Sequence, residues 1–327
     1  MESPPAPGGA ALPPDRAALL VKVARLYHEQ GVRQPDIAER LHMSQSRVSR
    51  LLKEAAEVGI VRTVVVAPEG SHADLEDAVR TRYGLTDVVV ADADRTDEGA
   101  VVRALGAAAA GYLGATLTGG ERIGVSSWSA TLLATVAAMS ARPARASAAS
   151  VVQLQGGVGA PRVQAQATRL VEGLASVTAA TATVFPVPGL VGSAAARDAL
   201  LADDYARELV DAWSGLDTAL VGIGSLQPSE LLRTSGNAIG EEEQARLREA
   251  GAVGDVCLRF FDAEGAPVRT GLDDRVLAVP SDVYRRIHRK IGVAGGERKH
   301  GAIRAAARGG WVDVLVTDPW TAEALLA

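Results

Sequence analysis

Residues 122–139 read RIGVSSWSATLLATVAAM. Arg122 to Ser126 has strand character, a hydroxyl-rich turn follows, and Ser129 to Met139 is an apolar, Ala-rich helical run. A strand passing through a short turn into a helix is the repeating unit of parallel sheets, because parallel neighbours need a crossover and the helix supplies it. The same alternation extends in both directions. Upstream lie LTDVVVAD (85–92) and a helix over Glu98 to Leu117. Downstream come SVVQLQ (150–155) with Arg162 to Val177, TATVFPV (181–187) with Ser193 to Trp213, and TALVGIG (218–224) with a helix around Glu241 to Ala250. GDVCLRFFD (254–262) reads as a hairpin-type strand, and IGVAGG (291–296), a helix to Ala307, VDVLVT (312–317) and a last helix after Pro319 complete the series. Near-continuous apolar strands imply pairing covered on both faces. Residues 85–327 are therefore expected to form one α/β domain, doubly wound on a mostly parallel sheet.

In such sheets, ligands bind at the carboxyl ends of the strands, where loops feed helix N-termini. Three of these turns have anion-binding chemistry. Gly124 to Thr131 offers Ser126, Ser127, Ser129 and Thr131 at a helix start, a phosphate cradle of hydroxyls and backbone N–H groups. Gln153 to Gly157 adds Gln153 with Gly156 and Gly157, which permit close backbone approach. Gly295 to Lys299 is a Gly-Gly turn entering a helix. Lys299 in a first helical turn opposes the helix dipole, so a bound anion is a reason for its presence. Asp255 can accept from sugar hydroxyls or simply serve a turn.

The N-terminal region has a different period. QPDIAERLHMSQSRVSRLLK (34–53) places Ile37, Ala38 and Leu41 on one helical stripe, breaks at His42-Met43-Ser44, and resumes with Val48, Leu51 and Leu52 facing inward. Ser44 suits the N-cap of the second helix. Gln34, Ser44, Gln45, Ser46, Arg47, Ser49, Arg50 and Lys53 are left for phosphates and base edges, the geometry of a helix-turn-helix. No acid lies between Glu39 and Glu54, so the cations are expected to lack local partners. A helix over Asp15 to Gln30 precedes this pair, and Glu57 to Ala67 (EVGIVRTVVVA) reads as a helix end and a wing. The expected organisation is a disordered tail (1–14), a winged helix-turn-helix DNA-binding domain (15–67), a linker helix (68–84) and the α/β effector domain (85–327).

Composition narrows the function classes. The net charge of -5 argues against indiscriminate nucleic-acid binding, although residues 1–66 hold nine Lys/Arg against seven Asp/Glu. A single cysteine, Cys257, excludes an internal disulfide framework and suits a reducing cytoplasm. No apolar run approaches the ~18 residues of a membrane span, and the N-terminus lacks a signal-peptide layout. The five histidines show no metal-ligand spacing, and no Walker A or G-x-G-x-x-G pattern occurs. No catalytic residue, metal or cofactor is expected.

Taken together, QPDIAERLHMSQSRVSRLLKEAAEVGIV, IGVSSWSATL, VVQLQGG, GAVGDVCLRFFDAEG and IGVAGGERKHGAIRAAARGGWVDVLVTD resemble the SorC family of bacterial sugar-responsive transcriptional regulators, over nearly the whole chain from about Asp15. The resemblance implies an effector domain similar to sugar-phosphate isomerases, a phosphorylated sugar or polyol as effector, operator DNA as partner, and a homo-oligomer, dimer or tetramer. It also implies a phosphate loop of Ser126, Ser127, Ser129 and Thr131, supported by Gln153, Gly156 and Gly157, with Asp255 and Lys299 facing the effector. SSWSAT departs from the glycine-bearing S-W-G-x-T form of many members, which bears on the ligand that fits. The alternative is a sugar-phosphate isomerase or deaminase with an appended DNA-binding module.

Overall fold

The computed structural model describes residues 13–62, 71–140, 147–157, 161–227 and 239–327. It divides into two compact units, Met1–Glu69 and Gly70–Ala327. The expected tail falls almost entirely outside the described residues, as does the wing from residue 63 onward.

Among the described residues, the smaller unit has three α-helices around a core of Leu20, Val23, Ile37, Val48, Leu51 and Ala55. They are α1 (Pro14–Ala24), α2 (Gln34–Arg40) and α3 (Gln45–Glu57). The expected single helix to Gln30 instead loosens into a π-type turn over Arg25–Glu29. Leu20, Val23 and Ala24 of α1 face the core, and Tyr27, within the wider turn, is exposed. Arg16 bonds Glu54 and ties α1 to α3.

The larger unit is built on a seven-stranded sheet in which every pair is parallel. Its strands are β1 (Asp87–Val90), β2 (Arg122–Val125), β3 (Ser150–Gln153), β4 (Thr181–Thr183), β5 (Thr218–Val221), β9 (Arg289–Val293) and β10 (Val314–Thr317), in spatial order β1-β10-β9-β5-β2-β3-β4. A small antiparallel sheet holds β6 (Gly224–Ser225), β7 (Gly254–Val256) and β8 (Arg259–Phe261). The helices of this unit are α4 (Ala73–Tyr83), α5 (Glu98–Thr116), α6 (Ala130–Ser140), α7 (Pro161–Val177), α8 (Ala194–Leu201), α9 (Asp204–Trp213), α10 (Glu241–Glu249), α11 (Ser281–Arg285), α12 (His300–Arg308) and α13 (Pro319–Leu326).

Alternation along each strand divides the core. Leu220, Ile291 and Val314 join Leu105, Leu132 and Leu170 of α5–α7 on one face. Ala219, Val221 and Leu315 join Trp213, Tyr284 and Ile303 on the other. Successive strands step one way through β2, β3 and β4, then the opposite way through β5, β9 and β10. The reversal opens a crevice between the adjacent strands β2 and β5, and it positions the site.

Two local expectations change. The helix over Ser193 to Trp213 is two, because Asp203 caps a new start by accepting the Tyr205 N–H at 3.0 Å. α4, expected as a linker, is packed into the larger unit. Val79 is fully buried, Glu76 accepts the Val90 N–H at 2.8 Å, and the Tyr83 hydroxyl donates to Leu325 O at 2.7 Å.

Candidate functional site

A cavity of about 610 Å³ opens at the carboxyl ends of β2, β5 and β9, at the winding reversal. Ser126, Ser127, Ser129, Thr131, Asp255 and Lys299 all line it. Sequence neighbours explain the first four. β2 ends at Val125, the turn carries the hydroxyls, and α6 begins at Ala130.

Each hydroxyl also holds the wall in place. Ser126 Oγ accepts the Gly222 N–H at 3.1 Å, joining the loop after β2 to the loop after β5. Thr131 Oγ1 donates to Val293 O at 3.1 Å, so its contact with Ser129 Oγ at 2.9 Å must have Ser129 as donor. Ser129 Oγ in turn accepts the Leu132 N–H at 3.3 Å. Trp128, between them, sits at φ 55, a left-handed conformation that a bulky residue adopts only under constraint from its surroundings.

Gln153, Gly156 and Gly157 do not line the cavity. Gln153 is fully buried, and its amide is used up internally. Nε2 donates to Ser127 Oγ at 2.8 Å and to Gln155 O at 2.7 Å, while Oε1 accepts the Phe185 N–H at 2.9 Å. It positions Ser127 rather than meeting a ligand. A Cβ on Gly156 would lie 2.4 Å from Pro188 O, so its glycine serves close backbone packing; one on Gly157 would lie 2.5 Å from Gln153 Nε2. Gln155, two residues further along, is the one that reaches the cavity.

On the opposite wall, Asp255 Oδ2 accepts the Leu258 N–H at 3.0 Å. The turn from β7 to β8 passes through Cys257 and Leu258 at φ 52 and 60, a two-residue hairpin turn made without glycine. Burial pushes the Asp255 carboxyl up to about 6, against the pull of the Leu258 N–H and of Lys299. Burial likewise lowers Lys299, and Asp255 opposes that shift. Burial raises the Cys257 thiol, which leaves it inert.

The Gly295-Gly296 turn depends on a residue that sequence inspection passed over. Asp318 caps α13 by accepting the Thr321 N–H at 2.7 Å, and it also accepts the Gly296 N–H at 2.7 Å. A Cβ on Gly295 would meet Asp318 Oδ2 at 2.0 Å, and Gly296 sits at φ 91. The Asp-Pro pair at 318–319 is a legible helix start; the second bond of Asp318 requires the fold. Arg95, Glu98, Glu297 and Arg298 complete the charged lining and were likewise missed. His300 is not among the lining residues, and burial lowers its pKa. Among the described residues, no group of His, Cys, Asp or Glu is arranged to hold a metal ion, and no helix is long and apolar enough to cross a membrane.

In the smaller unit, α2 and α3 meet at Leu41–Ser44. Ser44 Oγ accepts the Arg47 N–H at 3.3 Å, the expected cap. Ser44, Gln45, Ser46, Arg47, Ser49, Arg50 and Lys53 are exposed, and Gln34 is half-buried. Lys53, expected to lack a local partner, has one in Glu57 at 3.8 Å, one helical turn onward at i,i+4. Arg47 and Arg50 form no ion pair among the described residues, and Arg50 Nε donates to Ser46 O at 3.3 Å.

Two helices meeting at a tight turn in the smaller unit share the chain with a parallel α/β unit that bears a hydroxyl-lined cavity, the arrangement of a transcriptional regulator with a sugar-binding domain. Residues 68–327 match the family model described as "Putative sugar-binding domain". The chain belongs to the SorC family of sugar-binding transcriptional regulators. It is 31% identical over 312 residues to the deoxyribonucleoside regulator of Bacillus subtilis, covering 95% of this chain and 98% of the relative. It is 30% identical to the sorbitol operon regulator of Klebsiella pneumoniae, again covering 95% and 98%. The full-length crystal structure of that regulator superposes with a TM-score of 0.71 at 29% identity, covering 96% of this chain and 100% of the other. These relatives are transcriptional regulators, not enzymes, and the isomerase alternative is set aside.

Proposed function

We propose that α3 binds operator DNA and that a phosphorylated sugar or polyol in the cavity controls this binding. The observation that carries the reading is the convergence of Ser129, Thr131 and the first turn of α6 with Lys299 on one cavity. Hydroxyls, a helix N-terminus and a cation together suit a phosphate. Asp255 and Gln155 on the same lining suit sugar hydroxyls. Arg47 and Arg50, exposed and without ion-pair partners among the described residues, suit DNA phosphates and base edges. The active form is a homo-oligomer, dimer or tetramer, because paired half-sites need paired recognition helices. Ligand binding releases the DNA.

Two measurements test the reading. Sugar phosphates should raise the melting temperature of the full chain, and Lys299→Ala should abolish that rise. A rise that survives intact moves the phosphate site elsewhere. In a gel shift on the DNA upstream of the coding sequence, Arg47→Ala and Arg50→Ala should each weaken binding. Each should also flatten the salt dependence, by about 0.9 in log–log slope for every phosphate that the variant no longer neutralises. Unchanged affinity and slope would reject α3 as the recognition helix.

A further inference from the structure

Six charged side chains line the cavity, and they cancel: Arg95, Arg298 and Lys299 against Glu98, Glu297 and Asp255. Four of the six are engaged in two ion pairs that join the segment entering α5 to the Gly295-Gly296 turn. Arg95 bonds Glu297, and Arg298 bonds Glu98, each segment giving one cation and one anion. All four side chains are more than half exposed, so the pairs add little stability. Their consequence is electrostatic, since both guanidinium groups already face carboxylates. Lys299 is the basic lining residue that forms no ion pair among the described residues. Asp255 acts on it through space, and burial raises the pKa of that carboxyl.

The remaining wall is neutral. Gln155, 4% exposed, and Trp128, 9% exposed, carry an amide oxygen and an indole N–H with no partner among the described residues. Both residues line the cavity, and the two atoms, themselves buried in this structure, are one acceptor and one donor, the complement of a hydroxyl. Val101 and Leu105 of α5 add apolar surface.

We propose that the cavity selects a ligand with one anionic group and an uncharged, hydroxyl-bearing body, and that the Arg95–Glu297 and Arg298–Glu98 pairs exclude a second anionic group. The inference rests on the phosphorylated-sugar reading above and specifies which phosphorylated sugars qualify. Among the described residues, a second phosphate would find no unpaired cation besides Lys299, and the paired Glu98 and Glu297 would oppose it.

Calorimetric titration of the full chain tests it with glucose 6-phosphate, glucose 1,6-bisphosphate, ribose 5-phosphate and ribose 1,5-bisphosphate. For at least one of the two sugars, the monophosphate should bind at least tenfold more tightly than the bisphosphate. Glu98→Gln combined with Glu297→Gln frees both guanidinium groups at exposed positions. It should raise bisphosphate affinity at least tenfold more than it raises monophosphate affinity. Less than tenfold preference for the monophosphate with both sugars in the unaltered protein, or a ratio unmoved by the double variant, overturns the inference alone. Binding of none of the four overturns the phosphorylated-sugar reading and the inference with it.

Discussion

Asp255 shows how one half-buried carboxyl reports on the cavity. Its folded pKa of about 6 lies above the ordinary carboxylate value of about 3.9, so the folded state holds the proton more tightly than the unfolded chain. The stabilisation from this group is therefore complete below pH ~4 and is lost as pH rises through about 6. Its size is on the order of 2–3 kcal/mol. Asp255→Asn keeps an oxygen to accept the Leu258 N–H and removes the titration. Urea unfolding at pH 4.5 and pH 7.5 should show the variant gaining on the unaltered protein as pH rises. A constant difference between the two would assign the titration to another group. Gln153 marks the limit of reading single residues from sequence. Its place beside two glycines at a strand end suggested a ligand contact. Yet the side that a strand residue faces depends on what packs there, and here Ser127 and the Phe185 N–H claim its amide. Ser126, Ser129 and Thr131 were legible because a hydroxyl-rich turn between a strand and a helix is a local signal.

At the scale of elements, the alternation of apolar runs and helices was enough to anticipate the seven parallel strands, since each run begins and ends on local punctuation. What sequence did not disclose follows from tertiary contact. The engagement of α4 rests on bonds to β1 and to the end of α13, whereas the break between α8 and α9 is local, a cap by Asp203 two residues from the N–H that it accepts. The π-type turn after α1 likewise interrupts the single helix expected over Asp15 to Gln30. For α3, the cap is both legible and testable. Ser44 Oγ holds the Arg47 N–H, and losing such a cap costs about 1 kcal/mol. In Ser44→Ala, amide exchange at Arg47 should accelerate about fivefold, the equivalent of that energy. Ser44→Asp should restore protection, because a carboxylate both caps and complements the helix N-terminus. Equal exchange rates in all three proteins would show that the bond contributes nothing to the helix start.

At the scale of the whole molecule, the two compact units set a thermodynamic condition on the proposed control. The cavity belongs to Gly70–Ala327 and α3 to Met1–Glu69, so any influence of ligand on DNA is a coupling between separate sites. Such coupling is reciprocal. If a sugar phosphate weakens DNA binding by some factor, saturating DNA must weaken sugar-phosphate binding by the same factor, and regulatory couplings usually run from about 5-fold to about 150-fold. A ligand with equal affinity for the DNA-bound and free forms shifts nothing, however tightly it binds. The measurement pairs two titrations. The anisotropy of labelled upstream DNA gives the DNA affinity with and without saturating glucose 6-phosphate or ribose 5-phosphate, whichever binds. Calorimetry gives the affinity of the same sugar phosphate with and without saturating DNA. Matching factors above about fivefold, with ligand lowering DNA affinity, are the expected result. A factor of one in both titrations would leave a DNA-binding unit and a sugar-binding unit that share a chain without communicating, and the cavity would then have no part in regulation.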